Sequence, residues 1–453
     1  MTARNEDNTT LSLAEAAPAR DAGFRLAIRW LTAGNAECSV LTGSPLTLGR
    51  SATVDIILDS SGVSRKHAEL LRQGPVVAVR DLASRNGTFL NGRRVEHGAL
   101  SDGDVLRLGD VVGVVDRVDP DRADERPTEL GGTLFGPGLA EQLQQLRRIA
   151  HSELPVVIVG ETGVGKERVA RALHELSGRG GPFYAVNCAA LPMAVAEAEL
   201  FGHRKGAFTG AEVSGLGHLR AAEGGTLLLD ELPELPLTLQ AKLLRVLQEK
   251  EVTPLGETRP IPLDVRIACA CQRTVDELVR AGRLRQDLGA RLSGVMLEVP
   301  PLRDRRSDVG YLFAYFLRRL SGGRPPAVEP KLIERLLLYG WPNNVRELFL
   351  LTQRLLVLHG GEPLLEQEML PECFGRSDDQ AGLVSRGAPE PSAANREEHD
   401  RRALVAALDA CAGNMSRAAA QAGISRQRAY RLMAARGVSA VSDENGDDHG
   451  SGG

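Results

Sequence analysis

Val156-Val-Ile-Val159 runs straight into Gly160-Glu-Thr-Gly-Val-Gly-Lys166, and a helical stretch, ERVARALHEL (167–176), follows at once. A short all-apolar run fits a strand buried on both faces. The GxxxxGK loop behind it lets backbone N–H groups curl around phosphates, and the helix N-terminus adds positive potential. Lys166 can reach the β- and γ-phosphates. Gly160, Glu161, Thr162, Gly163, Val164, Gly165, Lys166 and Glu167 therefore form the candidate nucleotide cradle, with ATP as its cofactor. The general pattern places Ser or Thr after the lysine for magnesium; here Glu167 stands instead.

A second apolar run, Leu227-Leu-Leu229, ends in Asp230-Glu231. An acid at the end of a buried strand can hold Mg2+, and its neighbour can polarise an attacking water. Asp230 is the candidate metal ligand and Glu231 the candidate water-activating group. Leu139 to Ile149 and LQAKLLRVLQEKEV (239–252) space apolar residues as helices do. Residues 132–303 thus read as a doubly wound α/β unit, and 304–373 as a helical continuation carrying YLFAYFLRRL and KLIERLLLYG.

The flanks read differently. From Phe24 to Val118 short β-branched runs are broken by turns at Asn86-Gly87, Asn91-Gly92 and Asp102-Gly103, which predicts a β-sandwich over 23–118. Residues 1–22 and 438–453 are polar and are expected to be disordered, the latter acidic. Residues 119–131 and 374–395 have linker composition. Residues 396–437 form a small helical unit, and within it 401–437 carries seven arginines against a single acid, Asp409. Its second helix opens at Ser425 and presents Arg426, Gln427, Arg428 and Arg431, the pattern of a helix-turn-helix with a basic recognition helix. The spacing leaves open which arginines read bases and which hold phosphates.

The 453 residues suggest about three domains. Aromatics are only 4%, so the cores must be aliphatic. No uninterrupted apolar run of about 18 residues exists to cross a membrane, and no secretory signal opens the chain. Six cysteines without a CxxC pair argue for a reducing cytoplasm.

Glu199 to Ala211 reads ELFGHRKGAFTGA. Its last six residues, Gly206, Ala207, Phe208, Thr209, Gly210 and Ala211, resemble the signature of bacterial enhancer-binding proteins, AAA+ ATPases that activate sigma-54 RNA polymerase. The resemblance covers about 132–373 plus the C-terminal unit, which is similar to the Fis type. It implies that this loop touches sigma-54 through Phe208 and Thr209, and that ATP hydrolysis opens the closed promoter complex. Arg285 and Arg291, in RLRQDLGARL, match the segment that supplies arginine fingers to a neighbouring subunit, which implies a homo-hexamer. Arg346, in WPNNVREL, matches the nucleotide-sensing arginine of the lid; Asn343 replaces a glycine there, a change that a left-handed backbone would tolerate. Dimeric binding to enhancer DNA is implied likewise.

Three departures stand out. Cys271-Gln272 occupies the first sensor position, where the family has Thr-Asn, and Arg220 stands where Glu is common. Slower hydrolysis or altered coupling is a consequence to test.

On the sandwich segment, Gly49-Arg50, Ser64-Arg-Lys-His67, Asn86-Gly87-Thr88 and Asn91-Gly92 follow in the order of a forkhead-associated (FHA) domain. That resemblance implies phosphothreonine recognition by Arg50, Ser64, Arg65 and Asn86, with Asn91 helping and His67 orienting the loop. The partner is a phosphorylated protein or a segment of this chain; Thr9, Thr10 and Thr128 lie in segments flanking the sandwich. Two other readings fit the same residues: a DNA-binding regulator without ATPase activity, and a phosphopeptide-binding scaffold.

Overall fold

The computed structural model describes residues 25–374 apart from 33–34, 43, 75 and 121–125. The helix-turn-helix segment 396–437, with Ser425, Arg426, Gln427, Arg428 and Arg431, lies outside the described residues. So do 1–22, 438–453 and all but the first residue of 374–395.

Eleven strands build the N-terminal sandwich: β1 (Arg25–Thr32), β2 (Asn35–Val40), β3 (Leu46–Gly49), β4 (Ile56–Ile57), β5 (Ala68–Gln73), β6 (Val76–Asp81), β7 (Thr88–Leu90), β8 (Arg93–Val95), β9 (His97–Leu100), β10 (Val105–Leu108) and β11 (Val111–Val118). One sheet runs β2-β1-β11-β10-β7-β8 and the other β4-β3-β5-β6-β9. Between them lie Ile28, Trp30, Leu48, Leu70, Val79 and Leu106. The three Asn-Gly or Asp-Gly turns fall where expected, because Gly87, Gly92 and Gly103 each hold a left-handed φ near 80°.

The segment 119–131 is not linker to its end. Thr128–Leu130 (β12) pairs with Thr133–Phe135 (β13), so Thr128 sits in a strand opposite Phe135. This hairpin leads to α1 (Ala140–Ile149), β14 (Val156–Val159), α2 (Lys166–Ser177), β15 (Phe183–Asn187), α3 (Ala196–Phe201), α4 (His218–Ala221) and β16 (Thr226–Asp230). Then come α5 (Leu237–Glu249), two short strands β17 (Glu251–Val252) and β18 (Ile261–Pro262), β19 (Arg266–Cys271), α6 (Val275–Arg280), α7 (Gln286–Leu292) and β20 (Val295–Glu298). The parallel sheet has the order β15-β16-β19-β14-β20.

Each central strand feeds two cores, because side chains alternate across a sheet. Val157, Val159, Leu227, Leu229, Cys269 and Cys271 face α3, α5 and α7. Val156, Ile158, Leu228, Ala268, Ala270 and Leu297 face α1 and α2. That double burial explains the unbroken apolar runs.

The helical continuation is α8 (Arg306–Leu320), α9 (Pro330–Leu338) and α10 (Asn344–His359). Its core of Leu312, Phe313, Leu336, Trp341 and Leu348 is continuous with Val105, Val112 and Val114 of the sandwich. We call these three helices the lid.

Candidate nucleotide site and the loops around it

The sheet ends its strands β14, β16 and β19 side by side, and the candidate residues gather there. Gly165 takes φ 105°, open to glycine alone, and lets the chain turn from loop into α2 at Lys166. Lys166 is 7% exposed, and its Nζ donates to the carbonyls of Gly160 at 2.8 Å and Glu161 at 3.1 Å. Burial lowers its pKa, while the nearby Glu231 and Asp230 carboxylates oppose that shift. Across the cleft, burial raises Asp230, and the Lys166 charge opposes it. Each group is thus short of counter-charge, the condition in which an incoming phosphate and a divalent cation are welcomed together. Asp230 and the curled loop are a fit for Mg2+ and a nucleotide. Glu167 points elsewhere: it is exposed and pairs with Arg171 one turn on.

Glu231 carries a left-handed φ of 53°, and its backbone N–H donates to the Asp230 carboxylate. Its own carboxylate accepts from Gln272 Nε2 at 2.9 Å. The departure from Thr-Asn therefore places the longer Gln272 amide on the candidate water-activating acid. Cys271 is buried, and burial pushes its thiol up to about 12, so it stays protonated at neutral pH. A thiol offers only a weak hydrogen bond to a phosphate.

Sequence reasoning missed how tightly the lid grips the loop. Asn344 is fully buried; its Nδ2 donates to Glu161 Oε2 at 3.1 Å and to the Thr162 carbonyl at 3.0 Å. Its Oδ1 accepts from the Leu302 N–H at 2.8 Å. Arg303 clasps Glu161 with both terminal nitrogens, at 2.9 and 2.5 Å, and that bond above all holds the Glu161 carboxyl down to about 2. Arg305 Nη2 donates to the Val164 carbonyl at 3.0 Å. Arg346 is exposed, and its backbone N–H reaches the Gly163 carbonyl at 3.2 Å, which puts the side chain beside the loop as expected. Asn343 does not need the left-handed tolerance that makes its replacement of glycine mild: its φ is −105°, and the turn places Trp341 and Asn344 in that region.

The two other arginines stand on α7 and its N-terminal boundary. Arg285 pairs with Asp287 at 2.7 Å, and Arg291 donates to the Leu247 carbonyl. Arg220 lies in α4, half-buried.

The loop 206–211 closes on itself. Gly206 N–H reaches the Ala211 carbonyl and Ala211 N–H the Phe208 carbonyl. Gly206 and Gly210 hold φ of 82° and 97° with open space where a Cβ would stand. Thr209 is exposed. Phe208 is 37% exposed, its ring 5.1 Å from that of His203, beside a cleft of about 450 Å³ that also takes in Tyr184, Glu199 and Leu216. The aromatic ring is therefore half laid down against its own domain.

On the sandwich, Arg50 and Arg65 are exposed in adjacent loops, and the Ser64 hydroxyl accepts from the Arg85 N–H, leaving its own proton to donate. Asn86 braces the Gly62 carbonyl at 2.8 Å. His67 is fully buried; its Nδ1 accepts from Ser64 N–H and its Nε2 meets the Gly87 carbonyl, so it orients both loops as expected. Asn91 is different. Its amide donates to Asp104 and accepts from the Val105 N–H, both at 2.9 Å, so it braces the sandwich while remaining exposed.

Four family models match the chain: the sigma-54 interaction domain at 136–298, the FHA domain at 46–109, the AAA+ ATPase lid domain at 303–385, and the Fis family of bacterial regulatory proteins at 395–431. Regulatory protein AtoC of Escherichia coli is 42% identical over 66% of this chain and 66% of its own length. Sigma54-dependent transcriptional activator SfnR of Pseudomonas putida is 39% identical over 68% of this chain and 88% of its own. Among solved structures, NtrX of Brucella abortus in complex with ADP is 33% identical, with a TM-score of 0.50 over 68% of this chain and 70% of that one. Among the described residues no helix is long and apolar enough to cross a membrane.

Proposed function

Since the chain belongs to the sigma-54-dependent transcriptional activators, we propose that it uses ATP hydrolysis to remodel the closed sigma-54 RNA polymerase complex, under control of phosphothreonine recognition. One observation carries this reading: the exposed Phe208-Thr209 tip, hinged on two glycines, belongs to the same domain as a curled phosphate loop whose lysine faces an acid pair. Lys166 holds the β- and γ-phosphates. Asp230 would hold Mg2+, which would supply neutralisation of phosphate charge. Glu231, kept in place by Gln272, takes the proton of the attacking water. Arg285 and Arg291 act on the phosphates of a neighbouring copy in a hexameric ring, which frees them from Asp287 and the Leu247 carbonyl. The lid senses the nucleotide through Arg346 and Asn344. The loop changes its contact with sigma-54 between nucleotide states, and only such a difference can convert hydrolysis into work.

The Fis-type segment binds upstream DNA as a dimer, and Arg50, Ser64, Arg65 and Asn86 bind the phosphothreonine peptide. The test is ATP turnover beside promoter opening, in wild type and Thr209→Ala. Turnover retained with opening abolished is the expected result. A wild-type protein that assembles but does not hydrolyse ATP would overturn it in favour of a regulator acting by occupancy.

A further inference from the structure

The sandwich has a second built surface, separate from its phosphothreonine loops, and the lid covers it. Val105, Val112 and Val114 share one apolar core with Phe313, Leu336 and Trp341. Inside this contact, Arg107 and Glu334 pair at 2.8 Å, each less than a tenth exposed, and the Arg107 guanidinium also lies over the Phe89 ring. Arg306 donates to the Gly103 carbonyl at 2.9 Å. Gly310 of α8 faces Leu31 so closely that a Cβ there would stand 2.6 Å from a Leu31 methyl. A buried ion pair is a poor source of stability but a strict device for register, because either partner left alone is costly.

Two routes of polar contacts leave this face. One runs to the phosphothreonine loops: Arg107 Nη1 donates to the Gly109 carbonyl, Gly109 N–H to the Gly87 carbonyl, and Gly87 is held by His67, which also holds Ser64. The other runs to the nucleotide loop: Asp116, paired with Arg29, lies close enough to Ser307 and Asp308 in the first turn of α8 for both to bear on its carboxyl. Next to Ser307, Asp308 pairs with Arg305, which donates to the Val164 carbonyl.

We propose that the docked sandwich moves with the lid as one body and sets the lid's grip on the nucleotide loop. Occupancy of the phosphothreonine loops and of the nucleotide loop then alter each other's affinity, reciprocally. The second statement rests on the phosphothreonine reading given above; the first does not.

Gly310→Leu tests it in the full-length chain. The larger residue strengthens a helix interior while wedging the sandwich away. Amide hydrogen exchange over 105–114 and 331–338 should quicken at least about tenfold, and affinity for a fluorescent ADP analogue should change at least about fivefold. Leu31→Ala in the same chain should restore both. Unchanged exchange would overturn the docking. Quickened exchange with ADP affinity within about twofold of wild type would overturn the coupling. As a second probe, a degenerate phosphothreonine peptide mixture should shift ADP affinity in wild type and not in Gly310→Leu. If the mixture fails to bind wild type, the phosphothreonine reading falls together with that half of the proposal, and the wedge still decides the other half.

Discussion

Replacing Asn344 by alanine should release the lid from the nucleotide loop. Two side-chain bonds to Glu161 and Thr162 vanish, each worth about 1 kcal/mol net. The Leu302 N–H loses its acceptor inside a fully buried contact, at a cost of about 1–3 kcal/mol. Alanine at φ 53° adds about 1 kcal/mol that glycine would avoid. The whole is about 4–6 kcal/mol, and at about 2 °C per kcal/mol for a unit of this size the transition that includes the lid should fall by about 8–12 °C. Asn344→Gly should recover about 1 kcal/mol of it, which separates backbone strain from lost bonds. Because Glu161 and Thr162 lie in the phosphate loop itself, affinity for a fluorescent ADP analogue should drop about tenfold, or 1.4 kcal/mol. Calorimetry and equilibrium titration read the two effects. An Asn344→Ala protein that unfolds within about 1 °C of wild type and binds ADP within about twofold would refute the latch.

Gln272→Ala should lower kcat about tenfold with KM unchanged in steady-state assays, since Gln272 acts on Glu231 rather than on the nucleotide. Glu161 has a folded-state pKa held down to about 2 against an ordinary 4.5, so its contribution to stability is complete above about pH 4.5 and is lost as pH falls toward 2. Thermal transitions followed against pH should show this acid-dependent loss in wild type and a smaller one in Arg303→Ala. Arg50→Ala should weaken phosphothreonine-peptide binding at least tenfold by calorimetry, about the worth of one charge-assisted bond. Asn91→Ala should instead leave peptide affinity intact and destabilise the sandwich by about 1–2 kcal/mol.

What could be read in the sequence was local. The strand, loop and helix around Lys166 lie within about twenty consecutive residues, and their glycines and apolar run follow from backbone geometry alone. The same holds for the Asn-Gly turns and the 206–211 loop. Asn344 was hidden because its role depends on where the lid lands, and a tandem Asn343-Asn344 does not say which residue will take the left-handed turn. Asn91 was read as a recognition residue from its order in the motif; the pairing of its amide with Asp104 and Val105 is a bracing role that the order does not disclose. The lid-facing side of the sandwich did leave a mark. Strands of a sandwich alternate apolar and polar, yet β10 and the first five residues of β11 are buried throughout, Arg107 included. A run such as VVGVV (111–115) asks for cover on its second face, and no residue near it in sequence supplies that cover.

The shared core has a practical corollary for anyone who trims this protein. By motif, the chain divides neatly after Val118, and an ATPase fragment begun at the 128–135 hairpin would seem complete. Such a fragment would carry Glu334 stripped of its cation and would uncover Gly310 and Leu338, which face Leu31 and Gly92 of the sandwich. Its stickiness and low yield would then report an amputated fold rather than the release of a brake.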